Sequence, residues 1–442
     1  MAYIVVEMIF LATTLLVLIM PMQEQINGTR SCYNGRNFRA IICLLLVVIN
    51  VGVNGIYVSA SDQGNYIAEF AALGDEYKRL ENVTERELQS LLSTAPEGRA
   101  DSTTFTMNTS MVWRIPTMLA YSSMLIDSVV EFWVQIDRPE SYSNFQIAST
   151  DQRTITNTLL STKYHMEPSD RVVYVPYGYT QIETTEKDYI IYENDYALPW
   201  GYTYDSIISY GALDSLNGLQ KQEAMLQAIA LETSENEGDI LQFDEYDIPY
   251  EIEYKNCKWE DGEFVVSKAN ATVNLTFDMP AGVEGYLYLS GFDINDSGAS
   301  SFSTTVKCGD VSKPYLVKFG LHERYYGREN YLINLCYSEE ERTSLSITFP
   351  SKGTFKLGDI MLYALPMDNY SERVEALRAE PLENIEWDTN RLSGTVDISK
   401  DKILCVSVPY SRGWSATVDG EKDRDPVWQL YVHGDPSDGR TS

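Results

Sequence analysis

The sequence predicts a membrane-anchored α+β protein with a transmembrane helical hairpin, a mixed α/β exterior domain, a jelly-roll-like β-sandwich and a partial β module. Three observations predict it. The run Ala40–Ala60 is almost wholly apolar and carries no charge. The residues that follow it include apolar side chains at helical spacing, which predicts helices. Beyond about residue 240, apolar and polar residues alternate, which predicts strands. The predicted domains are 1–60, 61–240, 241–370 and 371–442.

The first 60 residues predict two membrane spans, at 2–20 and 40–59, because each run is long enough to cross a bilayer. The connecting loop, 21–39, holds three arginines against one acid, namely Arg30, Arg36, Arg39 and Glu24. Short loops rich in arginine stay in the cytoplasm, so residues from 61 onward are expected outside the cell membrane. A cleaved signal peptide at 2–20 is the alternative, although that run lacks a basic start.

Composition excludes several functions. The net charge of −30 over 442 residues argues against nucleic acid, whose phosphates must be neutralised by Lys and Arg. No CxxC motif occurs and the chain has three His, so we expect no metal site and no cofactor. The four exterior cysteines allow more than one pairing, which the sequence leaves open: Cys257, Cys308, Cys336 and Cys405.

The mixed α/β domain is predicted from its changing periodicity. Helical spacing predicts helices within Ser61–Leu91 and over Asp214–Glu232, and Thr154–Met166 is predicted as a helix followed by a strand. For Ser123–Ile136 a helix is favoured over a buried strand. The last predicted helix places four apolar residues on one face: Leu219, Leu226, Ile229 and Ala230. Two segments rich in β-branched and aromatic residues are predicted strands: Val172–Tyr179 and Asp188–Tyr192.

Strict alternation predicts the β-sandwich. In residues 271–279 one face holds Val273, Leu275, Phe277 and Met279, and in 344–350 it holds Leu345, Ile347 and Phe349. Further strands are predicted in 285–292 and 355–365, with Gly, Pro, Asn and Asp turns between them. A short helix, Glu372–Ala379, leads to the last module. Its two strands are predicted in 402–410 and 413–420. The second ends with Asp419-Gly420, a dipeptide typical of hairpin turns.

Four segments carry a resemblance to a known family. The last of them, Val408–Gly420, has Pro-Tyr, then Gly-Trp, then Val-Asp-Gly, at Pro409, Tyr410, Gly413, Trp414, Val418, Asp419 and Gly420. Three more occur in the expected order: a Ser-Ser stretch at Ala120–Leu125, a Lys-Tyr strand at Leu159–Met166, and Tyr-Glu-Asn with Leu-Pro-x-Gly at Ile191–Tyr202. In this respect the chain resembles the bacterial YfhO family of membrane proteins.

The resemblance implies a GT-C-type glycosyltransferase, which takes a sugar from a polyprenyl-phosphate donor and decorates envelope polymers of the lipoteichoic-acid type. Its implied partners are the bilayer, that donor and the polymer. Such enzymes place a catalytic acid in an early exterior loop among many spans. Here only two spans are predicted and the tail after residue 420 is atypical. We therefore name no catalytic residue, and we expect that the chain lacks the catalytic half and does not transfer sugar alone.

Three residues are candidates for carbohydrate binding. Tyr410 and Trp414 could form an aromatic platform for a sugar ring, and Asp419 could contact a hydroxyl or a cation. The alternatives are that Trp414 faces the core with Ala416 and Val418, and that Asp419 only makes the turn. Glu193-Asn194 is expected in a loop, and Glu339–Glu341 on a solvated face.

Two functions compete. The chain is either the exterior portion of a YfhO-like glycosyltransferase or a membrane-anchored carbohydrate-binding or adhesion protein. An adhesin would not need the mixed α/β region, which carries three of the four family-like segments, so the first function is favoured.

Overall fold

The computed structural model describes residues 10–17, 35–59, 98–102, 115–118, 120–121, 126–139, 146–147, 150–169, 174–182, 189–231, 241–260, 262–294, 301–318, 322, 325, 327–411 and 413–422. The chain divides into two compact units, Met1–Asn82 and Val83–Ser442. The helices predicted within Ser61–Leu91 and the tail after residue 422 lie outside the described residues.

The first unit contains helix α1, Gly35–Ser59, and a helical segment at 10–17. Apolar side chains such as Leu44, Val51 and Ile56 point outward along α1 and are exposed. Among the described residues, no helix meets the length and apolar character required of a membrane span. The helical hairpin therefore stays a prediction.

The second unit begins with mixed α/β structure. Its elements in chain order are β1 (Arg99–Asp101), β2 (Ala120–Tyr121), α2 (Asp127–Gln135), β3 (Gln146–Ile147), α3 (Thr154–Leu159), β4 (Thr162–Pro168), β5 (Tyr179–Ile182), β6 (Tyr189–Asn194), β7 (Gly201–Tyr204), β8 (Ile207–Ser209), α4 (Tyr210–Asp214), α5 (Gly218–Met225) and β9 (Ile229–Leu231). One sheet has the order β1-β4-β6-β5, in which only β1 and β4 are parallel.

Several predictions for this region are confirmed. Residues 154–166 are a helix followed by a strand, and α2 forms the second half of the helix favoured in Ser123–Ile136. The strand predicted at Asp188–Tyr192 corresponds to β6.

Two predictions here are wrong in extent. The helix predicted over Asp214–Glu232 is only α5, which begins after the cap Asn217 and ends at Met225. Ile229 and Ala230 instead form β9, which pairs in parallel with β8. The strand predicted at Val172–Tyr179 is replaced over 174–178 by irregular chain and a turn. Gly178 has a φ of 76°, a turn conformation that would interrupt a strand.

The β-rich part follows. Its strands are β10 (Tyr246–Asp247), β11 (Tyr250–Lys255), β12 (Cys257–Glu260), β13 (Glu263–Val266), β14 (Ala271–Met279), β15 (Val283–Ser290), β16 (Asp293–Ile294), β17 (Ser301–Cys308), β18 (Val311–Lys318), β19 (Tyr331–Ser338), β20 (Arg342–Phe349), β21 (Gly353–Lys356) and β22 (Asp359–Pro366). They form antiparallel sheets with the orders β11-β14-β20-β17-β18, β10-β22-β15-β19 and β12-β13-β21-β16.

The predicted alternation is confirmed. The inward residues of β14 and β20 are buried, and they pack in one cluster with Leu287, Ile333 and Leu362 of the facing sheet. Burying a large apolar side chain stabilises the fold by about 1.5–3 kcal/mol, so the two facing sheets hold each other through this core.

The sheet β10-β22-β15-β19 is covered on both faces. Along β15, Leu287 and Leu289 enter the core between the sheets, while Tyr286 and Tyr288 enter a second core with α2, α3 and α5. The β-rich part and the α/β part therefore share a packed boundary.

The last elements are α6 (Tyr370–Arg378), β23 (Glu383–Asp388), β24 (Arg391–Thr395), β25 (Ile403–Val406), β26 (Thr417–Val418) and β27 (Glu421–Lys422). Helix α6 buries Tyr370, Val374 and Leu377 in the second core. Strand β25 pairs with β7, from Ile403 opposite Tyr204 to Val406 opposite Gly201. The C-terminal chain thus returns to the α/β part. The domain boundaries near residues 60, 240 and 370 remain a prediction.

Two smaller predictions also have outcomes. Asp419 and Gly420 form the turn between β26 and β27 with φ values of 51° and 85°, which confirms the predicted hairpin turn. The strand predicted over 413–420 is wrong in extent, because β26 covers only Thr417–Val418. Cys257, Cys308, Cys336 and Cys405 are all free thiols, so none of the pairings left open by the sequence forms.

Candidate functional site

The structure places the three predicted carbohydrate-binding residues in different settings. Tyr410 is partly buried against the second core, and its carbonyl accepts a hydrogen bond from Ser128 Oγ at 2.8 Å. Trp414 is half-buried, while Asp419 lies in the exposed β26–β27 turn. Val418 is 63% exposed, so the alternative that places it on a core face with Trp414 is wrong.

The family-like segment Ile191–Tyr202 forms a turn held by one amide. Glu193 and Asn194 lie in β6 rather than in the expected loop. Asn194 Nδ2 donates to the carbonyl of Thr162 at 3.0 Å, and its Oδ1 accepts from the backbone N–H of Tyr196 at 3.0 Å. Since Asn194 is fully buried, this side chain fixes where Tyr196 leaves the sheet.

Tyr196 belongs to a group of four tyrosines, which we call the tyrosine cluster: Tyr177, Tyr196, Tyr337 and Tyr370. The rings of Tyr177 and Tyr196 are stacked, with centroids 5.9 Å apart and planes 12° apart. Tyr337 lies 4.7 Å from Tyr177, and Tyr370 lies 5.0 Å from Tyr196. Tyr370 is buried in the second core, whereas the other three are half-buried and pack against that core.

Backbone and hydroxyl contacts hold the rings in place. The N–H of Tyr177 donates to Thr154 Oγ1 at 3.2 Å, and Tyr370 Oη lies 2.6 Å from Thr158 Oγ1. Gly178 makes the stacking possible, because a Cβ there would lie 2.2 Å from the ring of Tyr196. The rings therefore come from four separate elements or turns, and direct hydrogen bonds and ring packing hold them together.

Two exposed carboxylates, Glu339 and Asp368, border the cluster and form what we call the acid rim. Tyr337 Oη donates to Glu339 Oε1 at 3.1 Å. Partial burial, then the hydrogen bond and charge of Glu339, raise the pKa of Tyr337 to about 12. The pKa of Tyr177 is raised by burial first, then by Tyr196 and by both acids of the rim.

The nearby guanidinium is engaged elsewhere. Arg378 Nη1 pairs with Glu375 at 2.8 Å, and Nη2 donates to the carbonyls of Asp195 at 2.9 Å and Ala197 at 3.2 Å. Arg378 therefore braces the turn beside Tyr196.

A second polar group is fully buried and faces no solvent. His165 Nε2 lies 3.1 Å from Glu167 Oε1, and His165 Nδ1 lies 3.9 Å from Asp101 Oδ2. Burial raises the pKa of Asp101 to about 6, although His165 opposes the shift. Among the residues that the structure describes, no group of His, Cys, Asp and Glu is arranged to hold a metal ion. We assign this buried group to the fold.

Sequence reasoning missed most of the tyrosine cluster. Tyr196 lies inside a family-like segment, but no motif distinguishes Tyr177, Tyr337 and Tyr370. The chain has 31 tyrosines, so composition alone cannot distinguish these four. Their proximity depends on contacts among a turn, β19 and α6, which no local pattern encodes.

Comparisons with known proteins identify the family of this chain. A family model described as bacterial membrane protein YfhO matches residues 2–424. The YfhO protein of Bacillus subtilis (strain 168) is 28% identical over 328 residues, which cover 72% of this chain and 36% of that protein. The chain thus spans about a third of the length of this curated relative.

Two solved structures illustrate the structural likenesses. A mutant arabinofuranosyltransferase AftD from Mycobacteria, in its class 2 structure, has a TM-score of 0.26 and 11% identity, covering 85% of this chain and 40% of that one. The xylan-binding module CBM86 from Roseburia intestinalis has a TM-score of 0.17 and 15% identity, covering 27% and 86%. At such low TM-scores neither likeness carries an argument, and the assignment rests on the sequence matches. The chain belongs to the YfhO family of bacterial membrane proteins.

Proposed function

We propose that this chain is the exterior portion of a YfhO-like membrane glycosyltransferase, and that its tyrosine cluster holds the envelope polymer that accepts the sugar. The cluster is the single observation that carries the proposal. Three half-buried tyrosines, two of them with stacked rings, lie beside two exposed carboxylates. Aromatic faces suit the C–H faces of a sugar ring, and carboxylates accept from sugar hydroxyls.

The rigidity of the cluster supports a binding role. Tyrosine offers a large amphipathic surface and loses little conformational entropy on binding, because it has few rotatable bonds. Here Tyr196 is held by its Asn194 contact and Tyr177 by Thr154. A prepositioned surface of this kind would orient the acceptor for transfer, which is a large part of catalysis in itself.

The chemical step is not assigned to any described residue. In this proposal the sugar comes from a polyprenyl-phosphate donor, and the acceptor is an envelope polymer of the lipoteichoic-acid type. Tyr410, Trp414 and Asp419 are proposed as a second carbohydrate contact, and the exposed position of Asp419 is compatible with it.

The proposed topology places residues 21–39 in the cytoplasm and residues 61–442 outside, with membrane spans at 2–20 and 40–59. The apolar surface that α1 exposes and the three arginines of the loop support it. The net charge of −30 suits an exterior segment that remains solvated.

The test uses cells in which the native gene is replaced by variants of the whole gene. With Tyr177→Ala and Tyr196→Ala combined, the sugar content of the envelope polymer should fall toward that of a deletion strain, while Tyr246→Ala, an exposed tyrosine of β10, should leave it unchanged. Equal sugar content in the double variant and the wild type, at equal protein level, would contradict the proposal. Loss of polymer binding with normal sugar content would favour the carbohydrate-binding or adhesion alternative.

A further inference from the structure

We propose that the buried group Asp101, His165 and Glu167 is an acid-sensitive latch, which holds strand β1 more firmly on its sheet once the group has gained a proton. The latch does not depend on sugar binding by the tyrosine cluster. Three features lead to it: the complete burial of the group, its excess of carboxylates over imidazole, and the contacts that β1 makes with the C-terminal chain.

The latch lies where β1 pairs with β4. The two strands are parallel, and Asp101 is opposite His165 in their register. His165 and Glu167 are two residues apart in β4, so their side chains lie on the same face of the sheet. Asp101 and His165 are 0% exposed and Glu167 is 2% exposed. Three titratable side chains therefore lie together inside the fold, away from water.

Two carboxylates share one imidazole in the latch. His165 Nε2 lies 3.1 Å from Glu167 Oε1, and His165 Nδ1 lies 3.9 Å from Asp101 Oδ2. One imidazolium carries one positive charge against two carboxylates, so the ionised group is negative as a whole. A net charge in the interior is costly, and one added proton removes it. Burial first, opposed by His165 and then reinforced by Glu167, raises the pKa of Asp101 to about 6.

The charged and titratable groups around the latch come from several elements: Arg99 on β1, Arg138 after α2, Lys163 on β4, Tyr179 on β5, and Tyr192 and Glu193 on β6. Arg138 and the backbone N–H of Ser102 oppose the protonation of Asp101, but their effects are smaller than that of burial. Lys163 is paired with Glu193 at 2.8 Å. Burial raises the pKa of both tyrosines, so they stay neutral near about pH 6. The latch is therefore the group that responds to mild acid here.

Strand β1 connects the latch to the C-terminal chain. Arg99, two residues before Asp101, donates to Ser407 Oγ at 2.8 Å and to the Ser407 carbonyl. Its guanidinium also lies 4.3 Å from the ring centroid of Trp200, whose carbonyl accepts from the N–H of Ser407 at 2.7 Å. Displacing β1 would break the contacts of Arg99, so the latch also acts on the chain just before Tyr410.

The short length of β1 makes its opening sensitive to side-chain charge. The strand has three residues at the edge of its sheet, and Ala100 forms a bridge with Thr117 on the side away from β4. Such elements open locally at lower free energy than core strands do. When β1 opens, Asp101 reaches water and its pKa returns to 3.8 from about 6. The closed state thus binds the proton more tightly, so acid opposes opening, and this stabilisation is lost as the pH rises through about 6.

Hydrogen exchange of the full chain in lipid nanodiscs, measured by mass spectrometry, tests the latch. The N–H of Ala100, which donates to the carbonyl of Pro116 at 2.8 Å, reports opening of β1, and the N–H of Ser407 reports the coupled chain. Protection factors divide out the intrinsic dependence of exchange on pH. With a pKa of 3.8 in the open state and about 6 in the closed state, protection of Ala100 should be about tenfold higher at about pH 5 than at about pH 7. Protection of Ser407 should rise with it.

Variants assign the response to the latch. Asp101→Asn keeps the shape of the side chain and stays neutral, so it should abolish the difference in protection between the two pH values. Asp278→Asn, at an exposed aspartate of β14, is the matched control and should preserve the difference. Arg99→Gln should keep the response at Ala100 and remove it at Ser407. Thermal unfolding verifies that each variant folds, and the wild-type protection of Ala100, followed across this pH range, should have its midpoint near about pH 6 whether or not the variants fold.

Four results would overturn the latch. Equal protection of Ala100 at the two pH values in the wild type is the first, and a difference that persists in Asp101→Asn is the second. Protection of Ala100 equal to that of Ile347 in the core strand β20 is the third, because β1 would then open only when the whole fold does. A response at Ala100 without one at Ser407 in the wild type is the fourth, because it removes the coupling through Arg99.

Discussion

At the scale of residues, the missing side chain of Gly178 sets the position of a ring in the tyrosine cluster. Its φ of 76° is favourable for glycine, and the ring of Tyr196 occupies the space where a Cβ would be. Gly262 has nearly the same φ, 77°, but nothing lies within 4 Å of its Cβ position. Comparing alanine substitutions at the two glycines therefore distinguishes the cost of backbone strain from the cost of displacing the Tyr196 ring.

Gly178→Ala should lower the free energy of unfolding by about 1–3 kcal/mol more than Gly262→Ala, because both variants strain the backbone but only the first displaces a packed ring. Chemical denaturation of both variants measures the difference. Equal losses would mean that the ring of Tyr196 does not lie against Gly178.

A pair of acids gives the second effect at this scale. Glu223 on α5 is fully buried, and its carboxyl hydrogen-bonds Glu245. Its Oε1 accepts from the N–H of Asp244 at 2.8 Å, and Arg373 Nη1 lies 3.6 Å away. Burial first, then the contact with Glu245, raises the pKa of Glu223 to about 9, so the folded chain holds a proton there at neutral pH.

This proton makes stability depend on pH. Between the ordinary pKa of 4.5 and about 9 the folded state binds more protons at Glu223 than the unfolded state does, so this contribution is largest below 4.5 and is lost as the pH rises. The slope from one group is at most about 1.4 kcal/mol per pH unit. Glu223→Gln should remove the contribution of Glu223 to the change of unfolding free energy with pH between 4.5 and about 9, as measured by chemical denaturation at several pH values. Glu372→Gln, which changes an exposed acid of α6, should leave that pH dependence unchanged. A slope unchanged by Glu223→Gln would contradict the raised pKa of Glu223.

At the scale of elements, the alternating strands are the part that sequence reasoning predicted best. Burial alternates along β14, so an apolar period of two is enough to predict both the strand and its buried face. Helix α5 shows the opposite case. Ile229 and Ala230 fit a helical face, but they form β9 because β8 offers a parallel partner. That partner is defined by the fold and not by the local sequence.

Strand β14 offers a direct test of the core. Phe277 is buried between the sheets, whereas the next residue, Asp278, is exposed. Phe277→Ala should therefore cost about 3–5 kcal/mol of unfolding free energy, through lost burial and a residual cavity. Asp278→Ala should change it by less than about 0.5 kcal/mol, as surface substitutions usually do. Denaturant midpoints of the two variants measure this, and a loss below about 1 kcal/mol for Phe277→Ala would mean that the register is wrong.

At the scale of the whole molecule, long-range contacts determine the strand pairing and the tyrosine cluster that local sequence patterns did not predict. β25 joins β7, although some 200 residues separate them, and the tyrosine cluster gathers rings from separate segments. The family-like motifs therefore identified the family, but they named Tyr410, Trp414 and Asp419 rather than the cluster. Of the four tyrosines, only Tyr196 lies in a family-like segment, since the proximity of distant residues leaves no periodic pattern in one sequence.

The proposed topology is tested in intact cells with single engineered cysteines and a thiol reagent that does not cross membranes. A cysteine in place of Asp310, an exposed residue after β17, should be labelled, and one within residues 22–38 should not be. The reverse pattern would contradict the topology. Permeabilised cells, in which both positions should react, are the control.

The central claim is that the tyrosine cluster binds sugars, and titration calorimetry of the purified full chain with envelope glycopolymer tests it most directly. Tyr177→Ala should weaken binding by about tenfold or more, since truncating a central aromatic residue typically costs more than 1 kcal/mol. Tyr177→Phe, which keeps the ring, and Tyr246→Ala on β10 should bind like the wild type. Wild-type affinity in Tyr177→Ala, or an equal loss in Tyr246→Ala, would contradict the account.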